Sequence, residues 1–265
     1  MSNKSRIIIV GSGITGASTA YHLAKLGWKN ITVLDQGPLF ETGGSTSHAP
    51  GGVFQTNPSR MMCKFAQYTV DLLRSLEFEG KPCYHTVGGI EVSKTKERHE
   101  DLYRKLGLAH SYGLSEAKII TPEEVHKMSP YIDPEKIYGG YYVPTDGLAA
   151  PVRAVQAMAK YVTDQGAGNF IGDTAVTGFK ISNNQIQGVE TNNGLYEADI
   201  VLVATGIWSP KMGRLAGISL PLVPCEHQMA WLEPFEELKE FKADIKEALV
   251  EHALVRHQDY SLYFR

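Results

Sequence analysis

One stretch near the start limits the fold more than any other. Arg6-Ile-Ile-Ile-Val10 is a short β-branched run suited to a buried parallel strand. It runs into Gly11-Ser-Gly13-Ile14-Thr15-Gly16. A helical pattern follows, with Ala20, Leu23 and Leu26 at three-residue spacing, and Gly27 sits where a helix-ending glycine belongs. Ile31-Thr-Val-Leu34 reads as a second strand and ends in Asp35-Gln36. In this order the pieces spell a βαβ unit with a dinucleotide fingerprint. Gly11 permits the tight turn, Gly13 lets the backbone approach a pyrophosphate, and Gly16 lets the helix pack on the strand. The helix N-terminus faces the phosphate charge. Asp35 lies about 20 residues past Gly16, where an acid can reach ribose hydroxyls. The unit by itself fits NAD or FAD.

The rest of the composition sets bounds. The chain has 265 residues, enough for one large domain or two small ones. With 43% hydrophobic and 21% charged residues it can bury a sizeable core. A formal net charge of −3 argues against nucleic acid or an anionic membrane as partner. No apolar run reaches the roughly 18 residues of a membrane span. The start is too short and too quickly glycine-rich for a signal peptide. Cys63, Cys83 and Cys225 are odd in number and far apart, against a disulfide framework or a cysteine zinc site. The histidines do not cluster as metal ligands, so no metal is expected. A cytoplasmic location is the default expectation.

Further along, residues 59–78 read as a helix with Phe65, Tyr68, Leu72 and Leu76 on its core face. Residues 84–92 read as a strand, 96–107 as a charged helix, and Thr121-Pro-Glu-Glu124 as a capping box. A loop over 142–151 precedes a helix opened by Pro151. Residues 169–204 carry two hairpins and then a buried strand, Ile200 to Ala204, which stops at Thr205-Gly206. Residues 218–232 read as strand, 235–248 as helix and 249–265 as two more strands.

A dinucleotide start, an interruption, a β-meander and a strand ending in Ala-Thr-Gly resemble the glutathione-reductase-type FAD fold of the D-amino-acid-oxidase-like amine oxidoreductases. That resemblance implies an α/β architecture. A discontinuous FAD-binding domain would span 1–80 and 145–217. An interleaved antiparallel-sheet substrate domain would span 81–144 and 218–265 and be incomplete at its end. It also implies that Thr174 to Thr177, through Val176, passes the adenine and that the Gly206 turn approaches the FAD.

The stretch "GGSTSHAPGGVFQTNPS" sharpens the likeness. From its residues alone His48 is a loop histidine that makes ordinary hydrogen bonds. The stretch is similar to the segment that carries covalent flavin in the dimethylglycine and sarcosine oxidoreductase group. By that resemblance His48 is joined to the flavin 8α carbon, and Ser45, Thr46, Ser47 and Gly52 lie along the cofactor. A neutral imidazole is a good nucleophile, which makes the link chemically reasonable. The resemblance also implies that His227 and Tyr263 line the substrate pocket, with Tyr260 as the alternative tyrosine.

The implied reaction is oxidation of an N-methyl amino acid, dimethylglycine or sarcosine, by hydride transfer from the N-methyl carbon to FAD, giving an iminium. The electron acceptor would be oxygen or an electron-transfer flavoprotein. Tetrahydrofolate would act only through a C-terminal region absent from these residues. Two other readings stay open: a related amine or amino-acid oxidase with non-covalent FAD, and a catalytically silent flavin-binding module. The last residues, Tyr263-Phe-Arg265, read as the inside of a strand. The chain alone is therefore expected to be an incomplete domain that binds FAD weakly or aggregates.

Overall fold

The computed structural model describes residues 4–41, 43–226, 228–230, 232–233, 252–260 and 262–264. The chain divides into two compact units: residues 1–50, 76–81 and 150–229 form the first, and 51–75, 82–149 and 230–265 the second. The first unit takes in the glycine loop. The second takes in residues 51–75, which the sequence reading grouped with the glycine loop.

The first unit is built on a four-stranded parallel sheet in the order Gly168–Ile171, Ile31–Leu34, Ile7–Val10, Ile200–Val203. Ile7, Ile8, Ile9 and Val10 are all buried, as a strand paired on both sides should be. The helix Ile14–Lys25 buries Gly16, Ala17, Ala20 and Tyr21. It packs against the helix Pro151–Asp164, whose buried face is also rich in alanine. Small residues on both helices allow this approach, and the Tyr21 and Tyr161 rings meet with centroids 4.8 Å apart. The strand Ile200–Val203 departs from expectation. It pairs only with Ile7–Val10 among the described residues, and its residues are half-buried or exposed rather than buried. A meander of Val176–Ser182, Gln185–Thr191 and Gly194–Glu197 completes the unit. Its first turn is Asn183-Asn184 with φ 51° and 61°, the left-handed pair a two-residue hairpin demands.

The second unit holds a five-stranded sheet in the order Leu262–Phe264, Leu254–His257, Gly89–Ser93, Gly139–Val143, Lys118–Ile120. Leu254–His257 and Gly89–Ser93 run parallel; the other pairs are antiparallel. One face, through Ile90, Val92 and Val255, packs on Val125 of the helix Pro122–Met128. The other, through Tyr141 and Val143, packs on Cys63, Leu102 and Ala109 from the helices Arg60–Arg74 and Lys96–Ser111. A small sheet of Gly52–Val53, Gly147–Ala149 and Tyr84–Thr86 lies in the same unit, so the 142–151 loop contains strand.

Two more expectations need correction. The helix Arg60–Arg74 buries Cys63, Val70 and Leu73, while Phe65 and Tyr68 are 58% and 51% exposed. Residues two apart on a helix point about 200° apart, so choosing the stripe at 65 and 68 instead of 63 and 70 inverts the faces. Larger apolar residues outside had outweighed smaller ones inside. The described residues among 218–232 form no strand. The helix expected over 235–248 lies outside the described residues.

Candidate functional site

In the first unit the site is mainly backbone. Gly11 has φ 105°, and a Cβ there would stand 2.5 Å from the Ala204 carbonyl oxygen. A Cβ on Gly16 would stand 1.9 Å from the Gly11 carbonyl oxygen. Both glycines are therefore needed for close approach. Gly13 differs in its neighbour: a Cβ there would meet a side chain, Thr46 Oγ1, at 3.1 Å, so the loop and the Ser45–His48 turn are closely apposed at this point. The helix behind it has Gly13 as its cap and no acid in its first turn. Ile14 N–H donates to Thr46 Oγ1 at 3.0 Å. That bond brings the short helix Ser45–His48 to the glycine loop, across 32 residues of sequence. Thr15 is exposed beside it.

Asp35 is buried and ties the loop together. Its Oδ2 accepts from Ser12 N–H at 2.8 Å and Ser12 Oγ at 2.7 Å, and its Oδ1 accepts from Gly37 N–H at 3.2 Å. A carboxylate has about four acceptor sites, so one remains for a hydroxyl. The Asp35 carbonyl accepts from Thr174 N–H at 2.7 Å, which draws the 172–176 segment to the end of the strand. Val176 itself is buried in the core with Ile8, Val10 and Leu34. Gln36 is exposed. Gly206 has φ 50°, and a Cβ there would meet nothing within 4 Å.

His48 is exposed at the end of its helical turn. Its Nδ1 lies 3.1 Å from the Gly44 carbonyl oxygen and 3.1 Å from Ser47 Oγ. Ser47 Oγ donates to the same carbonyl at 2.9 Å. A carbonyl only accepts, so in the neutral ring this contact selects the tautomer with its proton on Nδ1 and its lone pair on Nε2. A tight glycine loop, a helix N-terminus and the histidine of the turn bonded to that loop fit a dinucleotide cofactor such as FAD.

The second unit carries side-chain chemistry. Residues opposite one another in register share a face of a sheet. Tyr263, Arg256, Glu91 and Tyr141 form one such row across four strands. Arg256, Glu91 and Tyr141 of that row line a small cavity with Phe54, Thr56, Gly89, Lys105 and Asp146. Glu91 is paired with Lys105; their side chains are 7% and 23% exposed. Asp146 is buried, and its Oδ1 accepts from Gln55 N–H and Gln55 Nε2, both at 3.0 Å. Burial pushes the Asp146 carboxyl up to about 7, against the opposing pull of the Gln55 bonds and of Lys105. Tyr141 is pushed up to about 12, chiefly by burial, against its 2.7 Å bond with Thr56 Oγ1.

Gly52 lies by the same face: a Cβ there would come within 3.9 Å of the Tyr263 ring. Tyr263 is 40% exposed. Tyr260 lies outside the row; its hydroxyl accepts from Lys94 Nζ at 3.1 Å and its ring packs on His257. His227 lies outside the described residues. Sequence reading missed Asp146, Lys105, Gln55 and Arg256. Glu91 had a signal, since a carboxylate inside Gly-Ile-Glu-Val-Ser interrupts an apolar strand. Among the described residues no group of three or more His, Cys, Asp or Glu is placed to hold a metal ion. No described helix is long and apolar enough to cross a membrane.

A parallel sheet with a glycine loop at the start of its first helix defines a dinucleotide-binding α/β protein of the Rossmann-like type. The chain belongs to the FAD dependent oxidoreductase family, whose pattern matches residues 6–265. It is 28% identical over 270 residues to human (Homo sapiens) mitochondrial sarcosine dehydrogenase, covering 98% of this chain and 28% of that protein. It is 29% identical over 245 residues to mitochondrial dimethylglycine dehydrogenase of Rattus norvegicus, covering 92% of this chain and 28% of that protein. The chain thus spans under a third of the length of these curated relatives. The crystal structure of L-proline dehydrogenase from P. horikoshii superposes with a TM-score of 0.72 at 29% identity, covering 82% of this chain and 57% of that one.

Proposed function

We propose that the chain is the flavin-carrying part of an FAD-dependent oxidoreductase that oxidises an N-methyl amino acid, dimethylglycine or sarcosine, at its C–N bond. The observation that carries this reading is the Thr46–Ile14 bond, which sets His48 beside a dinucleotide loop. The names of the curated relatives point to the same substrate class. On this reading most of the cofactor-binding residues belong to the first unit, and Tyr263, assigned to the substrate, belongs to the second.

The residues at Gly11 to Gly16 would cradle the pyrophosphate against the helix N-terminus. Asp35 and Gln36 would meet the ribose, Val176 the adenine through its backbone, and Gly206 and Gly52 the rest of the cofactor. Bound there, FAD supplies a two-electron acceptor and an 8α carbon able to take a covalent bond. His48 would offer Nε2 for that bond in place of an 8α C–H bond, whose proton is lost and whose electron pair would pass through the flavin to the electron acceptor, while Gly44 and Ser47 hold the ring through Nδ1. Ser45 and small neighbours such as Gly43 leave room for the ring system.

His227 is assigned to hold or take the substrate amine proton, because only an unprotonated amine has the lone pair that assists loss of hydride. Tyr263 is assigned to orient the substrate. Its place opposite Arg256 and near Gly52 supports it over Tyr260, whose hydroxyl is engaged by Lys94. Oxygen or an electron-transfer flavoprotein is the proposed electron acceptor. The location is assigned to the cytoplasm.

The test is anaerobic mixing of the complete, FAD-loaded enzyme with dimethylglycine or sarcosine while flavin absorbance is followed. Bleaching is expected, and His227→Ala should slow it more than it lowers flavin content. Rapid bleaching by D-alanine with none by either N-methylglycine would overturn the substrate assignment.

A further inference from the structure

The second unit has another cleft, which shares no lining residue with the cavity beside Glu91. The helix Arg60–Arg74 and the turn over 113–117 line it, and its volume is about 150 Å³. A space of that size is enough for a molecule of about six heavy atoms. Four of its lining residues, Val70, Leu114, Ala117 and Val143, are buried and apolar. Asp71 and Glu116 are exposed and make no ion pair among the described residues. Arg74 is the one cation among the described lining residues, so two formal negative charges stand against one positive.

Gln55 gives the cleft its chemical preference. It is 3% exposed. Both hydrogens of its amide are spent: Nε2 donates to Thr145 Oγ1 at 2.7 Å and to Asp146 Oδ1 at 3.0 Å. Those bonds fix the amide orientation and leave Oε1 as a pure acceptor. Oε1 accepts no bond among the described residues, yet it is not sealed from solvent. Gln55 lines this cleft and not the cavity beside Glu91, so its oxygen opens here. An unpaired amide oxygen on a buried residue costs free energy until a donor reaches it. Gln67 repeats the arrangement. Its Nε2 donates to the Cys63 and Tyr112 carbonyls at 3.3 and 3.1 Å, which leaves Oε1 as a second acceptor on the lining.

The cleft thus offers acceptors and negative charge, and it suits a ligand with donors and positive charge. The described residues hold no group of three or more His, Cys, Asp or Glu fit for a metal ion, which leaves an organic cation. A primary ammonium has three N–H donors and no acceptor, which matches two amide oxygens and two carboxylates. A short carbon stem matches the apolar wall.

We infer that this cleft is a second small-molecule site that takes a short aliphatic primary ammonium ion, with its N–H groups on Gln55 Oε1 and on the Asp71 and Glu116 carboxylates. The inference goes beyond the proposed function and does not rest on it.

The test uses the complete, FAD-loaded enzyme with n-butylammonium as the probe, titrated by ligand-detected NMR at constant ionic strength. The charges are exposed, so a dissociation constant of about 1–10 mM is expected. n-Butyltrimethylammonium keeps the charge and the stem but has no N–H, and it should bind about 5–10-fold more weakly. That comparison is made in the parent protein, so it does not depend on a variant folding. Asp71→Asn and Glu116→Gln are conservative changes at exposed positions. Each should weaken n-butylammonium about 2–5-fold, and the pair about 5–20-fold, with flavin content unchanged. Equal affinity for the two cations would mean a solvated acidic rim and overturns the inference. Unchanged affinity in the double variant would put the probe elsewhere and overturns it too. The absence of saturable binding does the same.

Discussion

The two units build their candidate sites from different materials. In the first, the site is backbone: glycines at 11, 13 and 16, a helix N-terminus, and one buried carboxylate that holds the loop shut. In the second it is side chains: Arg256, Glu91 and Tyr141 from three strands, Lys105 from a helix and Asp146 from a turn. A backbone site tolerates change in most side chains but not the addition of a Cβ. A side-chain site tolerates backbone variation but depends on every charge having its partner. Mutations should therefore fail in different ways in the two units.

The largest effect is expected at Gly16. An alanine Cβ would sit 1.9 Å from the Gly11 carbonyl oxygen, and backbone has nowhere to yield. Gly16→Ala should cost on the order of 4 kcal/mol, the range of severe packing faults, and abolish FAD retention. Thermal unfolding and flavin stoichiometry check both. A Gly16→Ala protein that keeps its flavin would end the claim that the first site is made by close backbone approach.

Next is the buried pair. Lys105→Met leaves Glu91 with Gln258 alone in a site where it is nearly inaccessible. Removing one partner of a buried pair costs about 3–5 kcal/mol, and less here because Lys105 is 23% exposed. Denaturant melts should show about 2–3 kcal/mol on that principle. The double change Glu91→Gln with Lys105→Met should recover most of it.

Asp146 gives a pH signature. Its carboxyl is raised by burial from an ordinary 3.8 to about 7. The folded state therefore holds a proton that the unfolded state releases between those values. Stability from this group is full below about pH 4 and is lost as pH rises to about 7, a span on the order of 4 kcal/mol at most. Asp146→Asn should flatten that slope and be more stable than the parent above pH 7. Melting temperature measured from pH 5 to pH 8 decides it; parallel curves for the two proteins would contradict the buried-acid account.

This contrast also explains what could be read from the sequence. Gly11, Gly13, Gly16 and Asp35 fall within thirty residues and their spacing is their function, so the first unit's sheet, helix and loop were legible. The row across the second sheet joins residues 91, 141, 256 and 263, and only strand register makes them neighbours. Asp146 in Pro-Thr-Asp-Gly reads as an ordinary turn. Phe65 and Tyr68 misled for a related reason: hydrophobic size suggested a core face, whereas the smaller Cys63 and Val70 fit beneath the helix. The Ile200–Val203 strand looked buried because its composition is that of a central strand, yet its one described neighbour leaves it an edge.

The smallest effect is expected at Ser12. Ser12→Ala removes one of the three bonds to the Asp35 carboxylate and keeps the backbone bond. A cost of about 1 kcal/mol and an FAD affinity weakened by about five-fold are expected. Isothermal titration of the non-covalent His48→Ala form would resolve it.

The central claim is that the backbone site and His48 act together on one cofactor. It is tested most directly by acid precipitation of the FAD-loaded protein, followed by mass spectrometry of the peptide containing residues 41–59. The flavin should stay in the pellet, attached to His48, and His48→Ala should release it to the supernatant while still binding FAD through the Gly11–Gly16 loop. Flavin found entirely in the supernatant of the unmodified protein, with an unaltered His48 peptide, would contradict the account.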